Sequence, residues 1–142
     1  MEIISNNVKE TISFAENFAE SLKRNDIIAL NGEMGAGKTH FVMGLCEGLG
    51  LPDIVSSPTY SLVNDYRPTE EFSEKIPLYH FDMYRVLGDP SSTGIDYYQR
   101  FDGIIVIEWF ENIEGFITPN INIKIEILSN YKRKIIVNDF RN

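Results

Sequence analysis

The sequence predicts an α/β fold: a mainly parallel central sheet flanked by helices, with antiparallel strands at the C-terminal end. Three observations carry that expectation. "IIAL", Ile27 to Leu30, is a short apolar run that leads into the glycine-rich "GEMGAGKTHF" and then into a helical pattern. "GIIVIEW" holds a second such run, Ile104 to Ile107, which ends on Glu108. "INIKIEILS" alternates apolar and polar residues, and "KIIVNDF" follows as its hairpin partner. Continuous apolar runs suit strands buried on both faces, and alternation suits a half-exposed antiparallel strand. The 142 residues suit one compact domain, 1–142.

The elements follow in order. Residues 2 to 6 read as a short strand. From Thr11 to Lys23, Phe14, Ala15, Phe18, Ala19 and Leu22 recur at helical spacing, with Thr11 or Ser13 as the cap. After the glycine loop a helix runs from about Lys38 to Gly48, with Val42, Leu45, Cys46 and Leu49 on its apolar face. "GLGLP" ends it: Gly48 or Gly50 stops the helix and Pro52 prevents a restart. A strand follows Pro58, an exposed polar loop covers 67 to 75, and "IPLYHFDMY" holds a strand ending near Asp82. Gly88 to Gly94 is a turn, and a short helix is expected over Ile95 to Phe101.

Composition narrows the function. The single cysteine, Cys46, excludes an internal disulfide and reads as a small core hydrophobe. No stretch approaches the ~20 apolar residues of a membrane span, and the start "MEIISNNVKE" has no signal-peptide pattern, so a cytoplasmic protein is expected. A net charge of −8 disfavours broad contact with a nucleic-acid backbone, so no stable direct DNA binding is expected. The one basic cluster, "YKRK" at Tyr131 to Lys134, reads as a hairpin turn with a solvated face.

The glycine loop fits G-x-x-x-x-G-K-[ST], with Gly32, Gly37, Lys38 and Thr39 at the fixed positions. Each residue type has a physical reason. Glycines let backbone N–H groups turn inward around phosphate oxygens. Lys38 carries positive charge to the outer phosphates, Thr39 offers a hydroxyl to Mg2+, and the helix start adds N–H groups and its dipole. The nucleotide-binding segment is thus Gly35, Ala36, Gly37, Lys38, Thr39 and His40. The plain alternative is a tight turn capped by Thr39.

A phosphate loop needs an acid for its metal, commonly at the C-terminal end of a neighbouring buried strand. Glu108 and Asp82 both qualify, and Glu108 follows the more continuously apolar strand. Either holds Mg2+ with Thr39, and the other orients water; the sequence does not separate the two roles. Thr59 in "SPTY" is a candidate switch residue or a hydroxyl satisfied in its own turn. His40 is expected on the helix surface. It forms no metal cluster, since His80 is distant in sequence and Cys46 poorly spaced.

Three uses of a nucleotide compete. A GTP switch adds D-x-x-G and [NT]-K-x-D, and neither is present; the nearest imitation, "NVKE", precedes the loop. A small-molecule kinase needs an acceptor pocket and often an arginine-bearing lid, whereas "DYRPTEEFSEK" is acid-rich with one arginine. A small ATPase serving a partner protein needs only the site and a surface that senses its state. A nucleotide-gated binding protein with little useful turnover is the neighbouring alternative.

These motifs resemble the TsaE family, the ATPase component of bacterial tRNA threonylcarbamoyladenosine (t6A) synthesis. "GEMGAGKTHF" is similar to the family's G-D-L-G-A-G-K-T-T-F, "SSPTYSLVNDY" to S-P-T-F/Y-x-L-V-x-x-Y, "YHFDMYRV" to H-F-D-L-Y-R-L, and "IEW" to its second acidic motif. The resemblance runs from Thr11 to Trp109 and is less specific beyond. It implies a P-loop NTPase-like fold, with Lys38 and Thr39 on ATP and Mg2+ and Thr59 in a switch-like region. Asp82 and Glu108 would be the acids around metal and reaction. Trp109 matches the family tryptophan, either packed under the strand end or contacting nucleotide or partner. It also implies the partners TsaD and TsaB, with tRNA met only through their complex. TsaD transfers the threonylcarbamoyl group, and ATP hydrolysis here would reset the complex. The isolated ATPase would be weak.

The chain departs from the family pattern at His40, where a second threonine is usual, and conservatively at Glu33 and Met34. "GDPSSTGIDYY" is poorer in glutamate than the usual segment, which leaves its local helix in doubt. "FENI" lacks the frequent proline or serine start.

Overall fold

The computed structural model describes residues 1–52, 62–70 and 73–141. Its strands are β1 (Glu2–Ser5), β2 (Ile27–Asn31), β3 (Val63–Tyr66), β4 (Leu78–Asp82), β5 (Ile104–Glu108), β6 (Ile121–Ile127) and β7 (Arg133–Asp139). Its helices are α1 (Val8–Ala19), α2 (Lys38–Gly48) and α3 (Ile95–Gln99). The strands form one sheet in the order β1-β7-β6-β2-β5-β4-β3. The inner strands β6, β2, β5 and β4 are mutually parallel. Antiparallel pairs border them on both sides, β6–β7–β1 on one and β3–β4 on the other. The expected antiparallel C-terminal hairpin is therefore present, and β3 adds an antiparallel pair at the opposite edge.

Helix α1 starts and ends earlier than the spacing predicts. Asn7, not Thr11 or Ser13, is the cap: its Oδ1 accepts from the Glu10 N–H at 2.9 Å, and Glu10 Oε2 accepts from the Asn6 N–H at 2.6 Å. These reciprocal bonds satisfy N–H groups that the first turn leaves without helical partners. Thr11 instead points inward, with its hydroxyl 2.7 Å from that of Ser5. At the far end, the Glu20, Ser21 and Leu22 N–H groups bond carbonyls three residues back, so the chain tightens and leaves the helix before Lys23.

The sheet separates two cores by the period-two rule. Leu78, Ile104 and Val106 face α1 and α2, whereas Tyr79, Phe81, Ile105 and Ile107 face Ile95 of α3 and Ile113. Cys46 lies in the first core as expected; burial, then the nearby charge of Glu47, pushes its thiol up to about 12. Helices α1 and α2 cross closely. A Cβ on Gly44 would lie 2.5 Å from the Ile12 carbonyl oxygen, and one on Gly48 would lie 2.4 Å from that of Glu16. Ala15 and Ala19 are the facing residues. Small residues on both helices thus let the backbones approach and set where α2, and with it the glycine loop, stands against the sheet.

Candidate functional site

The glycine loop leaves β2 and turns into α2. Gly35 and Gly37 hold φ of 82° and 105°, left-handed values that cost a side-chain-bearing residue. A turn bond from the Ala36 N–H to the Glu33 carbonyl (3.0 Å) closes the loop. Arg133, at the start of β7, braces it from outside. Its Nε donates to the Ala36 carbonyl at 3.0 Å and its Nη2 to the Gly35 carbonyl at 3.1 Å. In a trans peptide the C=O and the next N–H point opposite ways, so fixing the Ala36 carbonyl also fixes the Gly37 N–H. This corrects the reading of "YKRK" as a merely solvated turn: Tyr131 is exposed, but Arg133 is part of the loop's framework.

Beside the loop lies an open cavity of about 590 Å³. Lys38, Thr39, His40, Asp82, Glu108 and Trp109 line it together with the loop. It lies beyond the C-terminal ends of β2, β4 and β5, where open α/β sheets bind ligands. Asp82 and Glu108 are direct neighbours across the parallel β4–β5 pair. Two residues 26 positions apart are brought together by register alone. Lys38 Nζ donates to the Gly32 carbonyl at 2.6 Å and lies 3.2 Å from Glu108 Oε1. Asp82 Oδ1 accepts from the Tyr84 N–H at 2.9 Å, which closes a turn after β4. Thr59 lies outside the described residues.

Glu108 has a partner that sequence reasoning missed. His80 is fully buried, and its Nε2 lies 2.5 Å from Glu108 Oε2. The signal was present: alternation along Leu78–Asp82 puts His80 on the same face as Asp82, one pleat behind it. Burial pushes the Glu108 carboxyl up, but the His80 hydrogen bond and charge, together with Lys38, outweigh it and hold the carboxyl below its ordinary value. His80 Nδ1 has no hydrogen-bond partner among the described residues. Leaving a buried polar atom so costs about 1–3 kcal/mol, a cost that an apolar neighbour such as Leu78 or Val106 does not carry.

The donor set fits a hard divalent cation. Thr39 supplies a hydroxyl and Asp82 and Glu108 supply carboxylates, all oxygen ligands. Glu108 already accommodates the Lys38 ammonium. Among the described residues no group of three or more His, Cys, Asp or Glu that could hold a metal ion by itself exists.

Comparison with known proteins gives the family. The family model described as "Threonylcarbamoyl adenosine biosynthesis protein TsaE" matches residues 5–135. The chain belongs to the TsaE family. A relative from Rickettsia prowazekii, named tRNA threonylcarbamoyladenosine biosynthesis protein TsaE, is 37% identical over 90% of this chain and 88% of its own length. The protein of the same name from Bacillus subtilis is 38% identical over 76% of this chain, but the match spans only 65% of that relative, just under two thirds. The crystal structure of Bacillus subtilis YdiB superposes with a TM-score of 0.78 at 31% identity, covering 100% of this chain and 86% of that one. The expected P-loop NTPase-like α/β fold is the observed one.

Other site residues stand as follows. Trp109 is not packed beneath the strand end. Its φ is 61°, it is 41% exposed, and its ring meets that of Tyr84 edge-on at 4.9 Å. His40 lines the main cavity and also a smaller one of about 130 Å³ between the start of α1 and the β6–β7 turn. Asn7, Val8, Thr11, Tyr131 and Arg133 line that smaller space, and the loop glycines Gly35 and Gly37 separate the two.

The brace carries a prediction. Arg133→Ala is expected to lower nucleotide affinity about tenfold, since two charge-assisted bonds that hold the Ala36 and Gly35 carbonyls are lost. Equilibrium binding measures it; unchanged affinity would mean that the loop keeps its shape unaided.

Proposed function

We propose that this chain is a Mg2+-dependent ATPase of tRNA t6A biosynthesis, a single domain over 1–142. It would convert ATP to ADP and phosphate in support of a TsaD–TsaB complex, without transferring the threonylcarbamoyl group itself. The convergence of Lys38, Thr39, Asp82 and Glu108 on one cavity at the strand ends supports this reading. In the reaction, N–H groups along Gly35 to Thr39 hold the phosphates. Lys38 leaves Glu108 for the outer phosphate oxygens. Thr39 with one acid, Glu108 or Asp82, would hold Mg2+, and the other acid, with Thr59, would set water in line with the scissile bond. Mg2+, when bound, would supply charge neutralisation on the phosphate oxygens. The smaller cavity, continuous with the loop, would take the base between Val8 and Tyr131. An acidic chain need not hold tRNA itself, so tRNA is reached through the partners. Among the described residues no helix is long and apolar enough to cross a membrane, and the cytoplasm is the proposed location.

The test is phosphate release from ATP and from GTP, with Mg2+, alone and with TsaD and TsaB. ATP-selective release that rises with the partners is expected, and Glu108→Ala should lower it by about 100-fold or more. Tight ATP binding and complex formation without faster release would favour the nucleotide-gated binding protein. Transfer of the γ-phosphate to a metabolite would favour a kinase.

A further inference from the structure

Resting on that reading, we infer that His80 is the positioning residue for Glu108: it takes one carboxylate oxygen, Oε2, and so leaves the other, Oε1, to pass from Lys38 to the metal ion. Three observations carry this. His80 Nε2 and Glu108 Oε2 are 2.5 Å apart, and the imidazole is fully buried while the carboxylate edges onto the cavity. Lys38 Nζ lies 3.2 Å from Oε1 and shares its ammonium with the Gly32 carbonyl. His80 lies opposite Val106, one pleat behind the Asp82–Glu108 pair, so its ring reaches Glu108 from within the sheet's own packing.

The arrangement solves a problem that glutamate creates. Its side chain has one more rotatable bond than aspartate and sits beside a lysine. A free glutamate carboxylate would turn both oxygens toward the ammonium, and the pair would resist separation. With Oε2 held by His80, the lysine contact is one-sided, and an arriving polyphosphate can draw Lys38 away. Glu108 then keeps its orientation, because its second anchor does not depend on the lysine. Such partners of metal-binding groups typically carry 10- to 100-fold in metal affinity.

The test compares His80→Leu, which removes the donor, with His80→Gln, whose amide nitrogen can reach where Nε2 stands. ADP binding is titrated by calorimetry with and without Mg2+, and circular dichroism melts check that each variant folds. His80→Leu is expected to weaken Mg2+ affinity in the presence of ADP 10- to 100-fold and Mg2+-free ADP binding by a clearly smaller factor, since without the metal only the release of Lys38 is affected. His80→Gln should recover most of the loss. In a Glu108→Gln background, His80→Leu should add nothing further, since the effect runs through the carboxylate. If His80→Leu does not fold, His80→Met serves as the donor-less variant. Equal losses in the Gln and Leu variants, or a full effect without Glu108, would reduce His80 to core packing. If the unmodified protein bound ADP no better with Mg2+ than without it, the nucleotide–metal reading itself would fail, whatever His80 does.

Discussion

Lys38→Ala is expected to lower ATP hydrolysis by about 10²–10³-fold, the usual loss when one charge-stabilising donor is removed from a transition state. ATP affinity should also fall, by roughly 10- to 100-fold, because charge-assisted hydrogen bonds to the phosphates disappear. The fold should survive. Glu108 keeps its bond to His80, and the lost Lys38 contact borders an open cavity where solvent weakens ion pairs. A change within about 1 kcal/mol is therefore expected in urea unfolding without ligand. With ligand the two proteins should part: on the proposed reading, Mg-ATP at 100 times its dissociation constant should raise the stability of the unmodified protein by about 3 kcal/mol, and far less that of the variant. Normal hydrolysis in the variant would remove Lys38 from the site.

The second large effect belongs to a residue with no chemistry. Gly44→Leu is expected to destabilise the protein by more than about 3 kcal/mol, at the upper end for overpacking. The cause is the backbone, not a flexible side chain: any Cβ there meets the Ile12 carbonyl oxygen at 2.5 Å and Ala15 Cβ at 2.7 Å. Even Gly44→Ala should lose about 1 kcal/mol or more, although alanine favours the helix by roughly that amount. Urea denaturation reads both. Because α2 begins at the glycine loop, the variants should also bind ATP more weakly. A Gly44→Ala protein as stable as the original would show that α1 can move away at no cost.

Much of this was legible from local pattern. The loop's spacing, its preceding strand and the acids at two strand ends all depend on near neighbours in sequence, and each stands where it was expected. The family motifs agree, and residues 5–135 match the family model. What was missed depends on contacts across the sheet. The His80–Glu108 bond spans 28 positions and the Arg133 brace 97 or more: alternation gives the face on which His80 lies, but only the pairing of distant strands brings each partner to it. The start of α1 was misplaced because apolar spacing marks the buried face, while the helix begins where Asn7 satisfies the first-turn N–H groups. "SPTY" and Thr59 fall outside the described residues, so their switch role remains part of the proposed mechanism.

The order of strands has a consequence for how the chain acquires its fold during synthesis. The phosphate-binding loop emerges early, behind β2, yet both strands that flank β2 come much later, β5 at Ile104–Glu108 and β6 at Ile121–Ile127. β1 pairs with β7, the most distant in sequence of the described strands, joining Glu2 to Ile136. The loop therefore leaves the ribosome without a framework, and Arg133, which braces it, follows only with β7. Contacts so distant in sequence require large loops to close before any of them stabilises the chain, which slows folding. Nucleotide can reward the finished sheet but cannot seed it, so the nascent chain gains the ligand's stabilisation only after nearly every strand has found its place.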